Sequence, residues 1–487
     1  ITGKDFDSNE NFNDIKIGGD AKFTIGNSMN LDVTLNPDFS QVEVDQQVTN
    51  LTRYEVSLPE KRQFFIENSD LFGGYGNNRD ANPFFSRRIG IAEDIEGNSV
   101  ENRIIGGVRL SGKLSNNFRL GILSMQAEED IENEIPTTNN SVIALQHKVF
   151  SRSNLSLLFI NKQTTKDYDF VEEEDKYNRV IGLDYQLASA DNSWNGRYYM
   201  HKSFSPNSKG DDISAGISTD YSSRDYFFRV SGLYVGEDFR SDLGFIRRTD
   251  IFKMNPEFGK LIWPKKGIIQ NHKISVIPIF IWKIKNDFEN SDYLIMSNWR
   301  ASFNNTADLT VGMENRFTKL YEDFDPSRTD DAVPLPIGDY RYTSFELNYS
   351  SNKRKQLSYN LSPSFGKFYN GNKYSFKSSF TWRLQPNFSS SIQINYDNID
   401  LPKPYTSASI WLIGPKFDIT FNKKLFWATF IQYSSQRNNF SVNTRLQWRF
   451  APLSDLFVVY NDNYLTEGSF TPRFRTFNIK LSYWLNL

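Results

Sequence analysis

The 487-residue sequence contains no cysteine, which excludes disulfides, thiolate metal sites and thiol nucleophiles together. Histidine is scarce: His147, His201 and His272 are the only three. They fall in separate alternating segments, so a His/Cys metal centre is excluded as well. An excess charge of one sign is also missing. The formal net charge of −2 provides no global field for nucleic acid or an anionic surface. Long apolar runs are absent too. A membrane helix needs about 20 consecutive apolar residues, whereas the longest apolar patch, residues 274–284, is short and carries Lys283. Helical membrane spanning is excluded. No leader precedes Ile1, so the chain reads as a mature or trimmed form.

Aromatic residues nevertheless make up 15% of the chain, while the hydrophobic total is only 38% and mean hydropathy is −0.54. A transmembrane β-barrel combines these properties, because only alternate residues face lipid. In "NKYSFKSSFTWRLQ", Tyr374, Phe376, Phe380, Trp382 and Leu384 share one side of an extended chain. Ser375, Lys377, Ser379, Thr381 and Arg383 share the other. "RIIGGVRLSGKL" sets Ile104, Val108, Leu110 and Leu114 against Arg109, Ser111 and Lys113. "SVNTRLQWRF" sets Val442, Leu446, Trp448 and Phe450 against Asn443, Arg445, Gln447 and Arg449. The closing "FNIKLSYWLNL" puts Phe477, Ile479, Leu481, Tyr483, Leu485 and Leu487 on the lipid side. It resembles the terminal strand read by the outer-membrane assembly machinery, although many such strands end in Phe.

The connections separate a barrel from a soluble sandwich. After Arg103, short linkers such as those near residues 115–117, 385–387 and 422–424 alternate with longer, often acidic ones such as "TTKDYDFVEEEDKYN" and "EDFDPSRTDDAVPLPIG". Tight turns at one end and long loops at the other mark an outer-membrane barrel. The spacing predicts about 21 strands after Arg103, one more at "FFSRRIGI" (residues 84–91), and a hairpin from "KIGGDAKFTIG" and "MNLDVTLNPDF". The expected fold is all-β: a large antiparallel barrel of about 24 strands, within a range of about 22 to 26. Residues 1–39 are expected to form the first hairpin, 40–83 a plug or constriction, and 84–487 the main barrel.

Residues 40–74 are charged and mostly do not alternate. A barrel this wide leaks unless filled, so the segment reads as a lumenal plug, with a periplasmic linker as the alternative. Its candidate plug residues are Asp38, Glu43, Asp45, Arg53, Glu60, Lys61, Arg62 and Glu67. Candidate lumen-facing residues are Arg109, Arg197, Arg229, Arg383, Arg445 and Arg449. They make the wall basic, with plug acids such as Glu43, Asp45, Glu60 and Glu67 expected to neutralise it by salt bridges.

The stretch "TLNPDFSQVEVDQQVTNLTRYEVSLPEKRQFFIENSDLF" resembles the signature of a family of unknown function in Bacteroidota, and "DFRSDLGFIRRTD" (residues 238–250) resembles the same family. In that family the signature follows a family-nine-like carbohydrate-binding module and opens a large C-terminal outer-membrane barrel. The resemblance therefore implies a carbohydrate-binding-like domain ahead of Ile1, and it carries no established activity.

Catalysis has no support in the residues. His201 near Ser203 or Asp184 reads as a solvated lumen histidine rather than part of a triad. "GGYGNN" lacks a P-loop lysine and reads as a turn within the plug. The acidic runs at residues 128–134 and 172–175 lack the spacing of a calcium loop. No enzyme, cofactor, metal or nucleic-acid partner is expected. The expected partners are the lipid bilayer and lipopolysaccharide of the cell outer membrane, with other outer-membrane proteins or lipoproteins beside them. The functional expectation is a plugged channel or docking pore for a bulky solute. The alternative is a non-transporting subunit or scaffold of an assembly or secretion complex.

Overall fold

In a computed structural model of the chain, residues 1–37, 45–208, 210–329 and 332–485 are described. The expected plug acids Asp38 and Glu43, and the terminal Leu487, lie outside these residues. The wall is a single antiparallel sheet of 26 strand segments. At one end of the series, Ile104–Lys113 pairs with Met29–Leu35, which pairs with Gly19–Ile25. At the other end, Thr471–Ser482 pairs with Thr2–Asp5, which pairs with Glu10–Asn13.

Two positions in the ring are each built from two segments. Every neighbour is antiparallel, so Glu10–Asn13 and Gly19–Ile25 run in the same direction, with residues 14–18 between them. They form successive parts of one strand that closes the ring. Ile251–Met254 and Glu257–Ile262 likewise keep one register against both Tyr226–Val235 and Ile269–Lys283. The ladder breaks at Pro256, which has no N–H to donate. Counted this way, the ring has 24 positions.

Much of the apolar face of each strand is left exposed, with no second sheet over it among the described residues. Tyr374, Phe376, Trp382 and Leu384 are exposed on the outside, as are Leu183, Ile479 and Leu481. A sandwich would bury such faces against a second sheet. Connections at one rim are short, for example residues 385–387 and 423–424. The other rim carries longer ones, for example 236–250 and 321–337, with a tight exception at 369–370.

Residues 45–103 leave the wall, and much of this stretch lies inside the ring. This inner segment is inserted between two strands that pair directly, Met29–Leu35 and Ile104–Lys113. It reaches Arg109, Asp184, Lys253, Asp292 and Gln432, which sit on strands all round the ring. Only a segment inside the ring can do so. "FFSRRIGI" is therefore not a wall strand, and the inner segment extends past the expected boundary at residue 83. Ser86–Arg88 is a 3₁₀ turn. Arg62 donates to the carbonyls of Ser86 and Ile89, both at 2.6 Å, so these groups need no ladder partner. The ring reaches its count through Thr2–Asp5 instead.

A core joins the inner segment to one side of the wall. Phe65, Leu71, Phe72, Tyr75, Phe84 and Ile89 pack with the inward-facing Leu123, Met125, Val142, Leu158, Ile160 and Val180. The infolded residues Phe239 and Leu243 join them. The wall is thus apolar beneath this half of the segment, not basic as expected. Ile104 also belongs to this core. A register shift between Ile104 and Gly106 turns it inward and turns Ile105 outward, reversing the expected face. Ile104→Ala should cost ~2–5 kcal/mol, and Ile105→Ala far less, read as the temperature at which the folded, fast-migrating band is lost on unboiled gels. Equal losses would mean that the bulge is misplaced.

Candidate functional site

The candidate site is the seam between the inner segment and the wall. Its tightest point is Gly76. The Gly76 N–H donates to Asp184 Oδ2 at 2.9 Å, and its carbonyl accepts from Arg197 at 2.9 Å. Asp184 Oδ1 lies 2.6 Å from His201 Nε2 on the neighbouring strand, and both side chains are fully buried. His201 is therefore a packed positioning group and not the solvated lumen histidine expected. Its ring lies against Gly182, where an added Cβ would come within 2.4 Å of it. Gly76 itself has φ +61°, and a Cβ there would meet the Ala81 carbonyl oxygen at 2.7 Å. Only glycine satisfies both demands.

Ion pairs extend the seam. Arg109 donates to Asp32 Oδ2 (2.7 and 3.0 Å) and to the Glu67 carbonyl (2.7 Å). Lys22 bridges Glu67 at 2.5 Å and Asp32 at 3.4 Å. Asp70 pairs with Arg119 and Asp80 with Lys253, at 2.8 and 2.6 Å. Asp292 on the wall receives Arg53 at 3.0 Å and Arg248 at 2.6 Å, and Tyr54 stacks under Arg247 and Arg248.

The expected neutralisation of the wall by plug acids does not occur as a rule. Asp45 pairs with Arg87 and Lys61, and Glu60 with Arg62 and Ser86, all within the inner segment. Of the expected plug acids among the described residues, Glu67 alone forms an ion pair with the wall. Three of the six expected lumen-facing cations, Arg109, Arg229 and Arg449, find acids on the wall. Arg229 pairs with Asp220 and Glu257, and Arg449 with Asp455. Arg383 donates to the carbonyls of Lys353 and Lys355 at the short-turn rim. Arg445 lines a cavity beside Gln46 and Lys61.

Beyond Arg53, residues 45–57 form a polar strap. Gln46 bonds Gln393, the Gln47 backbone N–H donates to Gln432 and its side-chain Nε2 to Asn439 (2.7 Å each), and the Asn50 backbone N–H donates to Gln436. A cavity of about 630 Å³ lies beside Thr49, Ser57, Lys373 and Lys377. A second, of about 380 Å³, lies beside Gln46, Ser379 and Thr381. Lys373, Lys377, Ser379 and Thr381 follow one another on the inner face of Gly371–Leu384. The two cavities therefore form a column along one strand, interrupted by the strap.

Two sequence features lead to this seam. Inward glycines on wall strands mark where the inner segment approaches: at Gly121 an added Cβ would meet the Phe72 ring at 2.7 Å. The stretch at residues 238–250 folds inward, and Phe245–Ile246 pairs with Ala81–Asn82. A sequence profile described as a domain of unknown function, DUF5916, matches residues 2–485. The chain belongs to this family. The match spans both signature stretches, which meet in the interior. No curated protein matches. Among solved structures, the chain is similar to the translocation pore of the P pilus usher (PapC) at 11% identity. That similarity covers 80% of this chain and 96% of the other, with a TM-score of 0.26, too low to support an argument.

The grip on Gly76 is open to direct test. Gly76→Ala should strain the left-handed backbone by ~1–2 kcal/mol and push on Ala81. Amide exchange over residues 73–84 should accelerate, and unchanged protection would mean that Gly76 does not hold this stretch against the wall. A second test concerns Glu67. Burial works to raise its carboxyl, but Lys22, Gln63 and Arg109 outweigh it and hold the group below the usual 4.5. A depressed carboxylate stabilises the fold above its unfolded value, and that stabilisation is lost as pH falls through the folded value. A fluorophore on Ser69→Cys should become accessible to quencher only as pH drops below 4.5. With Glu67→Gln it should be partly accessible at neutral pH. Constant accessibility down to pH 3 would contradict this.

Proposed function

We propose that the chain is a non-enzymatic outer-membrane barrel that passes or docks a bulky solute, with residues 45–103 as its plug and residues 45–57 as the gate. The column of two cavities interrupted by the strap carries this reading. It offers a route along Gly371–Leu384 that needs only the strap to move, while the apolar half of the plug stays in place. On this reading the exposed aromatic and aliphatic faces meet lipid, the short turns lie in the periplasm and the long loops lie outside. The resemblance to Bacteroidota proteins adds a carbohydrate-binding-like domain ahead of Ile1 on the periplasmic side.

A scaffold role is the second reading, favoured by the continuous core that ties the plug to the wall. Planar-bilayer recordings separate the two. The wild-type barrel should be closed for most of the trace. Gln432→Ala with Gln436→Ala and Arg53→Ala, which removes the side chains that tie the strap backbone to the wall and the strap to Asp292, should open far more often. A Cys pair at Ala81 and Ile246, the only cysteines in the chain, holds the plug to the infolded loop. Openings should persist when this pair is oxidised, because the strap and not the whole plug moves. A folded, heat-modifiable strap variant that never conducts would overturn the pore and leave the scaffold.

A further inference from the structure

The larger cavity has an unusual charge composition. Arg79, Arg247, Lys373 and Lys377 line it, and none of the four makes an ion pair among the described residues. Two acids line it as well, and one of them is paired with a cation outside the lining. Asp397 is buried and accepts from Ser375, and Glu55 pairs with Arg88 at 2.7 Å. Elsewhere the seam follows the opposite rule, with Arg109, Arg119, Lys253 and Arg53 each held by a carboxylate. Confined cations are normally paired, and here four cations face one acid, Asp397, that makes no ion pair of its own among the described residues, which leaves the chamber with an excess of positive charge.

The local chemistry fits an oxyanion. Arg247 Nε is buried without an acceptor, while the guanidinium stacks on Tyr54 at 4.5 Å and is held in orientation. Burial pushes the Arg247 guanidinium below its usual value against attraction from Asp80, with Arg248 and Arg79 adding repulsion. An anion would relieve both. Arg79 and Lys377 are exposed to the chamber. Their positions on the plug and on Gly371–Leu384 mean that one ligand would touch both sides of the seam.

We propose that this chamber binds a multivalent oxyanion, a solute carrying two or more phosphate or carboxylate groups, in the closed protein. The proposal names the solute class for the pore reading and rests on it only for its role, since binding needs no conduction. A single anion spanning Arg79 and Arg247 on one side, and Lys373 and Lys377 on the other, would also bear on the strap that borders the chamber.

The test is calorimetric titration of the full chain in detergent with tripolyphosphate and, separately, with oligogalacturonate. At least one should bind saturably, with an affinity that falls steeply as salt rises. Binding of tripolyphosphate alone identifies a phosphate site, and of oligogalacturonate alone a carboxylate site. Lys373→Gln with Lys377→Gln should weaken binding about tenfold or more, and Arg79→Gln, at an exposed position, should do so independently. Lys416→Gln, which lines the other cavity, should leave affinity within about twofold. Heat-modifiable migration confirms that each variant is folded. Saturable binding of neither probe, or equal affinity in wild type and the double variant, would overturn the proposal. A protein that conducts but binds neither probe refutes the chamber and spares the pore; one that binds but never conducts does the reverse.

Discussion

A ring of 24 strands is too wide for its own side chains to fill, and every other feature of this structure answers that constraint. Width demands an insert, and the insert comes as an excursion between Met29–Leu35 and Ile104–Lys113, two strands that pair directly. The wall can thus close on its own hydrogen bonds whatever the insert does. Because the insert needs its own core, the wall beneath it is apolar on the inner face at Leu123, Val142, Leu158 and Val180. An ordinary barrel strand would be polar there. Over this arc the strands are therefore apolar on both faces at several levels, one face against the inner segment and one turned outward.

The two halves of the inner segment are held by interactions of different strength. Six large side chains, Phe65 through Ile89, are buried against the wall, and each is worth ~1.5–3 kcal/mol. The strap relies on amide contacts such as Gln47 to Gln432 and Asn50 to Gln436, each worth ~0.5–1.5 kcal/mol net. Its strongest tie is the Arg53–Asp292 pair. Moving the whole insert would expose the core, whereas moving the strap exchanges hydrogen bonds with water. The weaker half is also the half that borders both cavities.

Much of this is legible in the alternation. Where outward residues are large and apolar and inward ones polar, as in Gly371–Leu384 and Asn439–Ala451, the face assignment follows from period alone. Legibility fails wherever the interior becomes a core. "FFSRRIGI" has the composition of a strand, but Phe84 and Ile89 are buried in the core of the inner segment and Arg62 satisfies the local carbonyls. Period counting puts Ile104 on the wrong face because a bulge adds one residue, and the count carries straight through a bulge. Charge pairing is the least legible feature. Asp32, Glu257 and Asp455 are isolated acids in the sequence, and only ladder register sets them beside Arg109, Arg229 and Arg449.

Register also explains why the two signature stretches are far apart in sequence and adjacent in space. Gly76 is fixed by Asp184 and Arg197 on successive strands, and Ala81–Asn82 then pairs with Phe245–Ile246 from a loop at the long-loop rim. That loop delivers Arg247 and Arg248 to Tyr54, while Arg53 beside them reaches Asp292. One backbone grip at Gly76 thus sets the position of a second loop, and that loop sets the cations at the edge of the strap. Gly76, the Phe245–Ile246 pairing and Arg247 form one continuous set of contacts from the wall to the larger cavity.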